Sequence, residues 1–171
     1  MPTVVNVNKN FVYYLIQPAI DAASPGDIIR IGSNTYPENV NISEKFGLTL
    51  QLGFSQGEVI VTGKFTLSAD DVLEMELFGD DDYDKFIIQD VASITGFSLY
   101  IKVVGAYTPA PGTRFIIFTS LNNPSEFTNP MLIKTDGHHF ILSYEEDGSS
   151  WNVVLTVVAR VFRLQINGPG S

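Results

Sequence analysis

The feature that most constrains this chain is an apolar pattern at helical spacing that gives way at once to β-rich runs. Between residues 10 and 24 the apolar residues fall on one helical face, Asn10 can cap the start, and Ser24-Pro25-Gly26 ends the run. This pattern predicts one short helix over 10–24. We expect its apolar face to cover the exposed end of the strands that follow, through the side chains of Leu15, Ile16, Ala19, Ile20 and Ala23.

Short runs rich in β-forming residues come after the predicted helix. They occupy residues 27–31, 39–42, 48–52, 58–61, 64–67 and 72–77, and Gly, Ser and Asn residues separate them, as turns between strands require. A second helical pattern is not evident, so the sequence predicts an all-β chain with one N-terminal helix.

Two segments resemble known families. Residues 16–42 resemble the entry into a right-handed parallel β-helix of the pectin-lyase-like kind, and residues 73–77, 83–88, 96–101 and 107–117 resemble late rungs of bacterial autotransporter-type passenger and adhesin domains. The resemblance implies a right-handed parallel β-helix, or solenoid, of about five or six rungs with an N-terminal capping α-helix. It implies a single domain over 1–167, with the capping helix at 10–24 and the rungs and terminal strands at 27–166, while 168–171 reads as a linker or cloning scar.

Composition and charge exclude several classes of partner. The chain has 10 Lys and Arg against 19 Asp and Glu, and its net charge of -9 repels nucleic acid and anionic membrane surfaces. No apolar run approaches the roughly 18 residues needed to span a bilayer, so we expect no membrane insertion by this chain. Cysteine is absent from the sequence, which rules out disulfides and thiolate metal sites.

Acidic and histidine clusters are the only candidates for a metal site. Asp80, Asp82 and Asp84 lie in one acidic run and could offer oxygen ligands to Ca²⁺, although the spacing of a calcium loop is missing and a solvated turn is the commoner explanation. His138 and His139 are adjacent, so on a strand their side chains would point to opposite faces. We therefore expect no cofactor, with Ca²⁺ as a weak alternative.

Three classes of function stay open. A polysaccharide lyase or hydrolase is suggested by fold analogy, but none of Arg30, Arg114, Arg160 and Arg163 lies in a matching catalytic motif, and no catalytic residue can be assigned. A carbohydrate-binding or phage-like attachment module is suggested by possible sugar-stacking side chains, namely Tyr13, Tyr36, Tyr83, Tyr100, Tyr107, Tyr144 and Trp151. The favoured interpretation is an extracellular or cell-surface structural and adhesive module without catalytic activity, whose partner is a cell surface, a polysaccharide or a second copy of itself.

The C-terminal run indicates self-association. Apolar residues occupy odd positions from 151 to 157 and then the even positions of Phe162, Leu164 and Ile166, so the alternation changes face. We expect these three residues to pair with a neighbouring chain in a homo-oligomer. They could instead fold back over their own last strand.

Overall fold

The computed structural model describes residues 3–43, 47–53, 57–67, 70–128 and 132–159. These residues form one helix and sixteen strands that are arranged in three sheets. Sheet A has the order β12-β9-β6-β3-β1-β2 and consists of β1 (Val4–Asn6), β2 (Phe11–Tyr13), β3 (Ile28–Ile31), β6 (Thr49–Leu52), β9 (Val72–Leu77) and β12 (Ser98–Val103). The other two sheets complete the fold.

Sheet B has the order β14-β15-β16-β13-β10-β7-β4, and sheet C has the order β11-β8-β5. The strands of sheet B are β4 (Asn34–Tyr36), β7 (Glu58–Val61), β10 (Lys85–Ile88), β13 (Arg114–Ser120), β14 (Leu132–Thr135), β15 (His138–Asp147) and β16 (Ser150–Val158). Those of sheet C are β5 (Val40–Asn41), β8 (Phe65–Thr66) and β11 (Ala92–Ser93).

The predicted parallel β-helix of five or six rungs is wrong. The sheets are separate, and sheets A and B mix parallel with antiparallel pairs. In sheet A, β1 pairs antiparallel with both β2 and β3, and in sheet B the strands β13 to β16 pair antiparallel throughout. Regularly spaced strands and turns specify neither the direction of a strand nor the sheet that it joins. The prediction of a mostly β chain is confirmed, and the prediction of a single-chain solenoid is contradicted.

Two tight turns produce the antiparallel end of sheet B. Asp136 and Gly137 connect β14 to β15 with φ of 45° and 77°, the left-handed values of a two-residue hairpin turn. Gly148, with φ of 62°, lies in the turn that connects β15 to β16. Such turns return the chain beside the strand it has just left, which makes antiparallel pairing the immediate outcome.

The helix α1 (Ile16–Asp21) is shorter than the predicted 10–24. Residues 11–13 instead form β2, because they pair with β1. The carboxylate of Glu38 accepts hydrogen bonds from the backbone N–H groups of Ile16 (2.6 Å) and Gln17 (2.9 Å), so a residue from beyond β4 caps the helix. None of the helices in the described ranges is long and apolar enough to cross a membrane.

The residues predicted to cover the strands lie mostly in the core. Ile16, Ala19 and Ile20 are completely buried and Ala23 is nearly so, whereas Leu15 is 38% exposed. The core lies between the three sheets, where edge-to-face aromatic pairs join Phe65 to Phe86, Phe86 to Phe118 and Phe118 to Phe127 at centroid distances of 4.7, 5.7 and 6.5 Å. In strands such as β3, β6 and β9 this packing leaves alternate side chains on an outer face.

Candidate functional site

A row of polar and aromatic side chains crosses the outer face of sheet A. The parallel register sets Arg30 of β3 opposite Gln51 of β6, Gln51 opposite Glu74 of β9, and Glu74 opposite Tyr100 of β12. Side chains at opposed positions of neighbouring strands share one face, so four distant segments contribute to one row. We call Arg30, Gln51, Glu74 and Tyr100 the sheet A ladder.

Hydrogen bonds hold the ladder in place. Arg30 Nε donates to Gln51 Oε1 at 2.5 Å, and Gln51 Nε2 donates to Glu74 Oε1 at 2.8 Å. The bonds link one planar group to the next and order side chains that are otherwise flexible. Tyr100 ends the row with 47% of its surface exposed.

A second pair flanks the ladder on the same face. Lys102 Nζ donates to Glu76 Oε1 at 2.6 Å, and the hydrogen bond and charge of Glu76 raise the pKa of the Lys102 ammonium. Arg30, Gln51, Glu76 and Lys102 line a shallow, strongly polar depression of about 210 Å³ together with Gly53. The depression offers both donors and acceptors to a polar ligand.

Tyr100 also borders a groove between β12 and β14. The groove has a volume of about 230 Å³ and contains Leu132, Ile133 and Lys134 on the β14 side. Thr135 Oγ1 donates to the carbonyl oxygen of Ile101 at 2.7 Å and holds the two strands together at one end of the groove. An exposed aromatic ring therefore stands between a polar depression and a partly apolar groove.

The other aromatic candidates are engaged within the fold. The Tyr36 hydroxyl donates to Gly32 O at 2.7 Å in a completely buried position, and the Tyr144 hydroxyl accepts from Phe127 N at 2.8 Å. Burial raises the pKa of both hydroxyls. The remaining candidates are Tyr13 beside Phe11, Tyr83 beside Phe115, Tyr107 against Asp80, and the partly buried Trp151 at the start of β16.

The acidic residues 80–84 do not converge. Asp80 accepts a hydrogen bond from the Tyr107 hydroxyl at 2.5 Å, whereas Asp84 Oδ2 accepts from the backbone N–H of Glu76 at 2.8 Å. Across the described ranges no group of three or more His, Cys, Asp or Glu residues could hold a metal ion. The structure thus gives Asp80 and Asp84 separate partners and leaves Asp82 without a set of fellow ligands among those residues.

Asp84 is a buried carboxyl group with a strongly raised pKa. It is 1% exposed, and burial raises its pKa to about 7, with further increases from the charges of Glu76, Asp82 and Glu74. The hydrogen bond from Glu76 N acts in the opposite direction, since it favours the carboxylate. Because its side chain is buried against β9, Asp84 does not face the depression or the groove.

The remaining candidates are scattered. His138 and His139 begin β15 opposite Thr135 and Lys134. Arg114 Nη2 donates to Glu145 Oε2 at 2.6 Å on sheet B, away from the sheet A ladder. Arg160, Arg163 and the predicted self-association residues Phe162, Leu164 and Ile166 lie outside the described residues.

Sequence reasoning named Arg30 and Tyr100 separately but missed Gln51, Glu74 and Lys102. These residues are separated by more than 20 positions in the chain and come together only through parallel register. Their signal was the alternation within β6, β9 and β12, where polar residues occupy each second position of apolar runs. No protein-family model matches the sequence, and no curated protein matches it at a significant level.

Proposed function

We propose that this chain is an extracellular or cell-surface adhesive module that binds glycans through the sheet A ladder. The observation that supports the proposal is the exposed Tyr100 ring at the end of an ordered row of hydrogen-bonding groups. A sugar has apolar faces that can lie on an aromatic ring and hydroxyl groups that pair with amides, carboxylates and guanidinium groups. The ladder presents both kinds of partner on one flat face.

The preformed order of the ladder favours binding. Gln51 is fixed by bonds to Arg30 and Glu74, so less side-chain entropy is lost when a ligand docks. The site is also open, since the depression and the groove are shallow features of the outer surface rather than enclosed cavities. An open face suits a ligand that extends beyond one sugar.

The lyase or hydrolase alternative has weaker support. A general acid must come within about 3 Å of the group that it protonates. Asp84 has a pKa of about 7, but it is buried and its carboxylate already accepts from Glu76 N. The partly buried carboxylates of Glu74 in the ladder and of Glu76 beside it are instead paired with Gln51 and Lys102.

Binding to a panel of soluble polysaccharides tests the proposal. We expect at least one polysaccharide to bind, and Tyr100→Ala to weaken that binding by about tenfold, which corresponds to about 1.4 kcal/mol. Ile116→Ala is the control, because Ile116 is an exposed apolar residue (41%) of β13 in sheet B and belongs neither to the ladder nor to the N-terminal residues 7–15. Calorimetry measures the affinity, and circular dichroism verifies that both variants are folded.

Two results would contradict this function. Equal polysaccharide affinity of the parent and Tyr100→Ala would show that the ladder is not the binding site. Release of reducing ends or of unsaturated sugar products during the incubation would instead establish an enzyme.

A further inference from the structure

Exposed apolar side chains are concentrated in the N-terminal hairpin that β1 and β2 form and in the two residues that follow it. Five of the eleven large hydrophobic residues that are exposed in the described ranges fall within residues 7–15, so the clustering is not the scatter expected of a surface. They are Val7 (37%), Phe11 (58%), Val12 (56%), Tyr14 (64%) and Leu15 (38%), which we call the hairpin patch.

The patch coincides with the edge of a sheet. β2 pairs with β1 on one side and is the last strand of sheet A on the other. Proteins usually protect such an edge with lysine, proline or a covering loop, but β2 has the sequence Phe-Val-Tyr. Its exposed side chains, together with an edge that pairs with no other strand among the described residues, form a template for another strand.

Charge limits which partner can approach. The chain carries a net charge of -9, so two copies repel each other over most of their surfaces. Residues 7–15 contain no acidic residue, and their one basic residue, Lys9, forms an ion pair with Asp27 at 3.4 Å and bonds to Ser24 Oγ. The hairpin patch is therefore a surface where two copies can meet without like-charge repulsion.

We propose that two copies of this chain associate through antiparallel pairing of their β2 strands. The exposed fractions of the patch amount to roughly 400 Å² per copy, since aromatic side chains of this size bury about 150–250 Å² each. A stable interface needs about 800 Å² per partner, so the patch supplies about half and the paired backbones and neighbouring residues supply more. We therefore expect a concentration-dependent dimer with a dissociation constant in the micromolar range.

Sedimentation velocity over about 5 to 200 µM, a range that spans the expected dissociation constant, tests the dimer. The parent should shift from the mass of one copy to that of two, whereas Val12→Lys should stay monomeric because a lysine on the edge disfavours strand pairing. Ile141→Lys is the matched control, because Ile141 is an exposed apolar residue (40%) in the middle of β15 on sheet B, and this variant should dimerise like the parent.

A cross-link keeps the test decisive if Val12→Lys folds poorly. The chain has no cysteine, and Val12 is the central residue of β2, so Val12→Cys would oppose its own copy across the pair. Directly opposed strand residues lie about 4.5–5.5 Å apart, which suits a disulfide. Mild oxidation should give a covalent dimer with Val12→Cys and not with Ile141→Cys.

Three results would overturn the proposal. The parent could remain monomeric at every concentration, or Val12→Lys could dimerise as strongly as the parent. A monomeric parent that sediments with phosphatidylcholine vesicles, and loses this binding in Val12→Lys, would assign the hairpin patch to a lipid surface instead.

Discussion

Asp84→Asn should abolish a large part of the pH dependence of stability. Asp84 is almost fully buried, and its pKa rises from an ordinary value near 3.8 to about 7 in the folded protein. Between these two values the folded state holds a proton that the unfolded state has released, so stability must fall as pH increases. Asparagine has nearly the same shape, keeps an oxygen that can accept from Glu76 N, and does not ionise.

The size of the effect follows from the two pKa values. A displacement from 3.8 to about 7 corresponds to about 4 kcal/mol of unfolding free energy, present in full below pH 4 and lost as pH rises through 7. Between pH 5 and pH 8 the parent should therefore lose about 2.5 kcal/mol relative to Asp84→Asn. For a chain of this size the corresponding change in melting temperature is about 5–10 °C.

Urea unfolding at pH 5, 6, 7 and 8 measures this difference through the fluorescence of Trp151, the only tryptophan of the chain. Asp81→Asn is the control, because Asp81 is an exposed carboxylate of the same loop, and its variant should keep the pH dependence of the parent. Parallel pH profiles for the parent and Asp84→Asn would refute the reasoning, since they would mean that Asp84 binds protons equally in both states.

Two further substitutions test the packing of the fold. Gly63→Ala should destabilise it by about 1–3 kcal/mol, because an added Cβ would lie 2.4 Å from the backbone oxygen of Glu38. Gly79→Ala is the control, since its Cβ would lie 3.3 Å from its nearest neighbour, and it should lower the melting temperature less. Ile20→Asp should destabilise the fold by about 3–5 kcal/mol because Ile20 is completely buried, whereas Leu15→Asp, at a partly exposed position, should shift the melting temperature only slightly. A melting temperature of Ile20→Asp equal to that of the parent would show that α1 does not bury this side chain.

The strands were predictable from the sequence because they depend on local pattern. The runs at 58–61 and 72–77 became β7 and β9, and each carries its apolar residues at alternate, buried positions. The helix was predicted too long, since residues 11–13 have apolar side chains that fit either a helix or an edge strand and tertiary pairing with β1 decided between them. The direction of strands and their division among three sheets depend on distant contacts that periodicity does not encode.

One local signal for the antiparallel end was present and was misread. Asp136-Gly137 between two β-rich runs is a strong hairpin sequence, because both residues tolerate positive φ. It predicts that β14 and β15 pair antiparallel with each other, which the expected parallel solenoid did not include. The candidate site was less accessible, since Gln51, Glu74 and Tyr100 become neighbours only after the register is known.

The two proposed surfaces predict one further property when they are combined. Antiparallel pairing of β2 with its copy places the twofold axis perpendicular to sheet A, so the ladders of both copies would lie on the same face of one continuous sheet. At about 4.8 Å per strand the two Tyr100 residues would be about 50 Å apart along that sheet.

Such spacing predicts that a long polysaccharide bridges both ladders whereas a short oligosaccharide does not. Val12→Lys should then weaken binding to the polymer by tenfold or more, because linked sites raise the effective concentration of the second contact, and it should leave the affinity for a short fragment unchanged. Calorimetry of the polymer and its short fragments with the parent and Val12→Lys measures both effects. Loss of affinity for the short fragment would mean that the hairpin patch itself contacts the sugar, and equal polymer affinity in a proven monomer would mean that the two ladders act independently.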